Sequence, residues 1–95
     1  MWACVRRYDN NPELAETLAA RSDEIKGLVS GVEGFVSYYL IHDGKDTVSM
    51  TVAQNKTGVD EANVIAMNWL ADHAADVPTA PPHITEGEVL ITTSS

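Results

Sequence analysis

The stretch Gly34-Phe-Val-Ser-Tyr-Tyr-Leu-Ile-His-Asp-Gly-Lys-Asp-Thr-Val-Ser-Met-Thr-Val-Ala53 decides the fold. Two runs rich in β-branched and aromatic residues flank Asp43-Gly44, the grammar of a β-hairpin. Working outward, a helical pattern lies on each side of it, and a strand-like run lies at each end: Trp2–Val5 and, after the prolines, roughly His83–Thr92. The order β-α-β-β-α-β predicts an α+β, ferredoxin-like domain spanning residues 1–95, with a four-stranded antiparallel sheet. Ninety-five residues suffice for one two-layer core.

The first helix reads from Asn11 as cap and Pro12 as first helical residue to Gly31 as a left-handed stop, with Glu13 at its positive end. Its apolar stripe is Leu14, Leu18, Ile25, Leu28 and Val29, and Arg21 falls inside that stripe. The second helix reads from about Thr57, with Asp60 as part of a capping box, to Ala74 or Ala75. Ala62, Ile65, Ala66, Trp69 and His73 share one of its faces. Val77–Pro82 is an extended connector, and Ser94-Ser95 a tail.

A hairpin loop of two or four residues gives the same pairing parity. Phe35, Ser37, Tyr39 and Ile41 then join Val48, Met50 and Val52, a set apolar enough to sit under the helices. Val36, Tyr38, Leu40 and His42 join Thr47, Ser49 and Thr51 on the other face. That face still carries an apolar patch of a kind soluble monomers avoid, which predicts a homodimer joined through its sheet faces, and so a dimeric α/β barrel.

Composition excludes several functions. The formal charge is −8, every Lys and Arg lies at or before Lys56, and only acids follow. Clustered cations that would neutralise phosphates are lacking, so nucleic acid and anionic membrane are poor partners. No apolar run approaches membrane-spanning length, and Met1 leads into a strand rather than a signal peptide. The single Cys4 forms no internal disulfide, and the cytoplasm is the expected location. His42 and His83 lack metal-ligand spacing, and there is no glycine-rich nucleotide loop and no nucleophile elbow; neither metal nor cofactor is expected.

The element order, with Val32-Glu-Gly-Phe-Val-Ser-Tyr-Tyr-Leu40 and Thr47-Val-Ser-Met-Thr-Val52, resembles the antibiotic biosynthesis monooxygenase-like proteins of the dimeric α/β-barrel superfamily. The first segment is similar to that family's helix-to-strand turn, with Glu33 in place of a Pro, and the second to its central strand. The resemblance implies two ferredoxin-like protomers packed sheet against sheet. The haem-degrading branch carries an Asn on strand 1 and a Trp on helix 2 about three turns before a His. Here Arg6 and Arg7 are the strand 1 candidates, Asn63 stands at the Trp position and His73 at the His position, which argues against haem degradation.

Candidate site residues follow from helix-facing positions. His73 is a base candidate near neutral pH, one turn from Trp69, whose indole can stack on a planar ligand. Arg21 and Tyr39 are candidates to stabilise an oxyanion. Each has a structural counterpart: a core Trp beside a helix-end His, an Arg snorkelling to the surface, a core Tyr. The expected function is a cofactor-independent monooxygenase-like activity on a small planar phenolic or quinol-type substrate. The alternative is a non-catalytic small-molecule-binding or stress-associated dimer.

Overall fold

The computed structural model describes residues 1–77 and 79–93. In order it contains β1 (Trp2–Tyr8), α1 (Pro12–Ala20), α2 (Ser22–Ser30), β2 (Phe35–His42), β3 (Thr47–Ala53), α3 (Lys56–His73) and β4 (His83–Glu88). The strands form one antiparallel four-stranded sheet in the order β2-β3-β1-β4, so the predicted βαββαβ architecture is present. The expected tail Ser94-Ser95 and Pro78 of the connector lie outside the described residues.

The first helix is two helices, not one. Asn11 caps α1 as expected, its side chain accepting the Leu14 N–H at 3.2 Å. At Arg21 the backbone leaves helical geometry (φ −124°, ψ 34°), while its carbonyl accepts from Glu24 and Ile25 and starts α2. Asp23 and Glu24 in the first turn of α2 sit where the positive end of a helix favours acids. Arg21 is therefore an exposed residue at a helix junction and not part of a buried stripe. Gly31 ends α2 with φ −79°, in the right-handed region. The left-handed backbone comes instead at Gly34 (φ +79°), as it does at Gly44 in the hairpin loop; the Gly34 carbonyl accepts the Gln54 N–H at 2.8 Å, and a Cβ there would press on Gln54 at 3.3 Å. The cap of α3 is Asn55 rather than Thr57.

His42 pairs with Thr47, so the hairpin closes with a four-residue loop and the predicted parity holds. Asp43 shapes that loop by accepting the Lys45 and Asp46 N–H groups at 2.9 and 2.7 Å. Bonds from Asp46 and Lys45 hold its carboxyl below the usual range.

The two faces of the sheet are the reverse of those expected. Tyr38, Leu40, Thr47 and Thr51 lie under the helices with Cys4, Arg6 and Tyr8 of β1, whereas Tyr39 (52% exposed) and Ile41 (53%) lie on the open face. A β-bulge between Phe35 and Ser37 swings Phe35 away from Tyr39's face and into the helix layer. The buried Thr47 hydroxyl is accommodated because it donates to the Asn11 carbonyl at 2.6 Å, tying β3 to the start of α1. Counting apolar residues misleads here because both faces carry them.

The core has two clusters. Tyr8, Leu14, Leu18, Ile25, Val29 and Trp69 build the larger one. Cys4, Ala53 and Val59, with Trp2 against them, build the smaller. Gly58 allows α3 to approach closely, since a Cβ there would lie 2.9 Å from Ala53 Cβ. On β1, Arg6 falls between Cys4 of one cluster and Tyr8 of the other. β4 ends at Glu88, opposite Trp2, and not near Thr92. One further bond runs from the Val89 N–H to the Met1 carbonyl at 2.8 Å.

Candidate functional site

Alternation along β1 separates its two arginines. Arg7 faces the open side and pairs with Asp9 at 2.8 Å. Arg6 faces the helix layer, where its Nη1 donates to Met67 Sδ at 3.4 Å, its side chain also meets Tyr8 and Cys4, and its buried Nε has no partner. Thioether sulfur is a weak acceptor. Burial opposes the charge on Arg6, but contact with Tyr8 and Cys4 outweighs it and holds the guanidinium above its ordinary pKa.

Arg6 lines two spaces that share part of their walls. An outer cleft of about 530 Å³ runs from Arg6, Tyr8, Met67 and Leu70 to Val77 and the connector at Thr79–Pro82. Behind it, an inner space of about 30 Å³ is lined by the same four residues together with Tyr38, Ser49, Thr51 and Asn63. The outer cleft is of a size that takes small organic ligands. The inner one has room for one or two molecules of the size of water. No Asp, Glu or His lines either space among the described residues.

Tyr38 closes the inner end. Its burial, and then the nearby Tyr8, push its phenol above the usual pKa, so it is a neutral hydrogen-bond donor at physiological pH. Tyrosine titration followed in the ultraviolet should therefore show a late-ionising phenol that is absent in Tyr38→Phe.

The expected site residues are divided. Arg21, Trp69 and His73 do meet, around Glu24, at the contact between α2 and α3. The Trp69 indole N–H donates to Glu24 Oε1 at 2.9 Å, and Arg21 lies 3.7 Å from the same carboxylate. His73 stacks on Trp69 (ring centroids 4.9 Å apart, 16° between planes) and directs Nε2 to Glu24 at 3.7 Å. Its Nδ1 lies 3.1 Å from the Trp69 carbonyl. None of the three lines the cleft or the inner space. Tyr39 stands apart on the opposite sheet face; it borders a separate apolar groove of about 620 Å³ along the β2 edge, with Lys26. The side chains that converge are instead Arg6, Tyr8, Tyr38 and Asn63. Their signal in the sequence was a charged residue alternating with Cys4 and Tyr8 on an otherwise buried strand face.

Among the described residues, no group of His, Cys, Asp and Glu is arranged to hold a metal ion, and no helix is long and apolar enough to cross a membrane.

Neither a protein-family model nor a curated protein sequence matches the chain. Solved structures do. Rv0793 from Mycobacterium tuberculosis is similar over 98% of this chain and 98% of its own, with TM-score 0.71 and 23% identity. A mutant of SnoaB, a cofactor-independent oxygenase from Streptomyces nogalater, is similar over 99% and 97%, with TM-score 0.66 and 17% identity. The monooxygenase from the gene ActVA-Orf6 of Streptomyces coelicolor, in complex with nanaomycin D, is similar over 98% and 92%, with TM-score 0.66 and 16% identity. The fold is that of the antibiotic biosynthesis monooxygenase-like proteins. Within this antibiotic biosynthesis monooxygenase-like fold, the chemistry has to be read from the chain's own cleft, because identities at or below 23% establish architecture alone.

Proposed function

We propose that the protein is a cytoplasmic homodimer that oxidises a small planar phenolic or quinol-type molecule with dioxygen, without a cofactor. The observation that carries this reading is the cleft between helices and sheet lined by a cation, Arg6, beside the neutral phenol of Tyr38. Two similar folds are described as a cofactor-independent oxygenase and as a monooxygenase in complex with nanaomycin D, which supports it. The open sheet face, with Val5, Tyr39, Ile41, Val48, Met50 and Val52, supports the dimer.

Ionisation of the substrate hydroxyl sends a proton to solvent through the cleft mouth. Arg6 and the hydroxyl donors stabilise the oxyanion in place of water. The electron-rich ring carbon then reduces dioxygen. One oxygen atom enters the substrate, and the other leaves as water with the two hydrogens the substrate loses.

Dioxygen uptake with a panel of hydroquinones and anthrones, against autoxidation and heat-denatured protein, tests the reading. Protein-dependent uptake is expected, and none across the panel would refute it. Tyr38→Phe should lower kcat by about 10²–10³-fold, the order expected when one oxyanion donor is lost. His73→Ala should leave turnover within about twofold, since the ring lines neither space. A second reading, a non-catalytic binding dimer, draws on the lack of a His or carboxylate proton acceptor among the described cleft residues. Ligand binding without uptake would favour it.

A further inference from the structure

We infer that the inner space behind the cleft is a binding site for dioxygen, separate from the cleft that takes the organic molecule. Its part in turnover rests on the oxygenase reading, whereas the binding itself does not.

Hydrocarbon side chains from every helix and from β2 wall the space: Leu14 and Leu18, Ile25, Leu40, and Ala66 and Leu70. Tyr38, Ser49 and Asn63 also stand at it, yet most of its exposed wall is carbon. Leu14, Leu18 and Ile25 are buried members of the main core cluster, so packing holds the wall in place. At about 30 Å³ the space is too small for an aromatic ring and large enough for a diatomic molecule.

Water is held in such a place by about two to four polar partners. The Thr47 hydroxyl on this wall is already engaged with the Asn11 carbonyl, and the leucines and isoleucine offer none. An enclosed apolar space takes an apolar guest in preference to water, and dioxygen is apolar.

The position suits a co-substrate. Arg6, Tyr8, Met67 and Leu70 line both spaces, so a gas molecule held inside is one side-chain layer from the organic molecule outside. Met67 in that shared wall is unbranched and half exposed, and its swing lets a small molecule through. Ala66 lines the inner space and not the outer cleft, and its small side chain is what leaves the room. Dioxygen and the organic molecule therefore occupy different volumes and do not compete.

The test is methyl relaxation by nuclear magnetic resonance on the full-length protein, with dissolved dioxygen under pressure as the paramagnetic probe and nitrogen as the control. A group of methylene size prefers hydrocarbon to water about fourfold. The enhancement at Leu14, Ile25 and Leu70 should accordingly exceed by at least about fourfold that at Val59, which is fully buried in the smaller cluster and away from the space. Ala66→Leu, with circular dichroism to confirm its fold, should remove the excess. In turnover it should raise the KM for dioxygen and leave the KM for the organic molecule unchanged. Equal enhancement at Leu14 and Val59 in the wild-type protein would overturn the inference, whether or not the variant folds. So would an undiminished excess, or an unmoved KM for dioxygen, in folded Ala66→Leu. Localised dioxygen without uptake across the substrate panel would leave the gas site standing and remove the oxygenase reading. Uptake without localisation would do the reverse.

Discussion

The paired substitution Ile41→Asp with Val48→Asp is expected to convert the proposed dimer into a monomer by light scattering, leaving the far-ultraviolet spectrum unchanged. The two residues are directly paired across β2 and β3 on the face opposite the helices, so they contribute little to the protomer's own core. Burying each side chain in a sheet-to-sheet contact is worth about 1.5–3 kcal/mol. The two-fold relation counts each loss twice, and the new carboxylates oppose burial. At about 1.4 kcal/mol per tenfold, the dissociation constant should rise by at least about four orders of magnitude. A wild-type protein that is already monomeric at high concentration would remove the dimer.

Leu14→Ala should produce the largest loss of stability among single core truncations. Leu14 is fully buried (0% exposed) and belongs to the main cluster while also walling the inner space. Its backbone N–H is tied down by Asn11, and the first turn of α1 is anchored to β3 through Thr47, so the site has little freedom to collapse. The expected cost is about 2–5 kcal/mol. For a domain of this size that lowers the melting temperature by at least about 8 °C. A loss below about 1 kcal/mol would show that α1 is loosely packed against the sheet.

Much of this was legible along the chain. Asn11-Pro12 and Asp43-Gly44 acted locally, through side-chain bonds to nearby N–H groups, and local chemistry is written in local sequence. Pairing parity within the hairpin followed from strand geometry alone. The break at Arg21 was less visible, because Leu14, Leu18, Ile25 and Val29 keep helical spacing across it and all reach the same cluster. In hindsight, the acids Asp23 and Glu24 were the start signal of a second helix.

The site was the least legible part. Trp69 and His73 read as a stacking and base pair because they lie one turn apart on the expected inner side of α3. The neighbour that engages both is Glu24, 45 residues away from Trp69, and it draws them to a helix contact outside the cleft. Tyr39 and Tyr38 are adjacent in sequence, and the choice between them depended on which sheet face the helices cover.

The sequence by itself determined the order of elements, the hairpin and its parity, and the net acidity. Those properties depend on caps, turns, period-two alternation and total charge, all set by residues near one another or by their sum. The tertiary structure alone decided which face is inside, and with it that Arg6 and Tyr38 enclose one space while Arg7 and Tyr39 face away. That choice rests on the packing of α1, α2 and α3 against strands distant in sequence, and on one bulge at the start of β2.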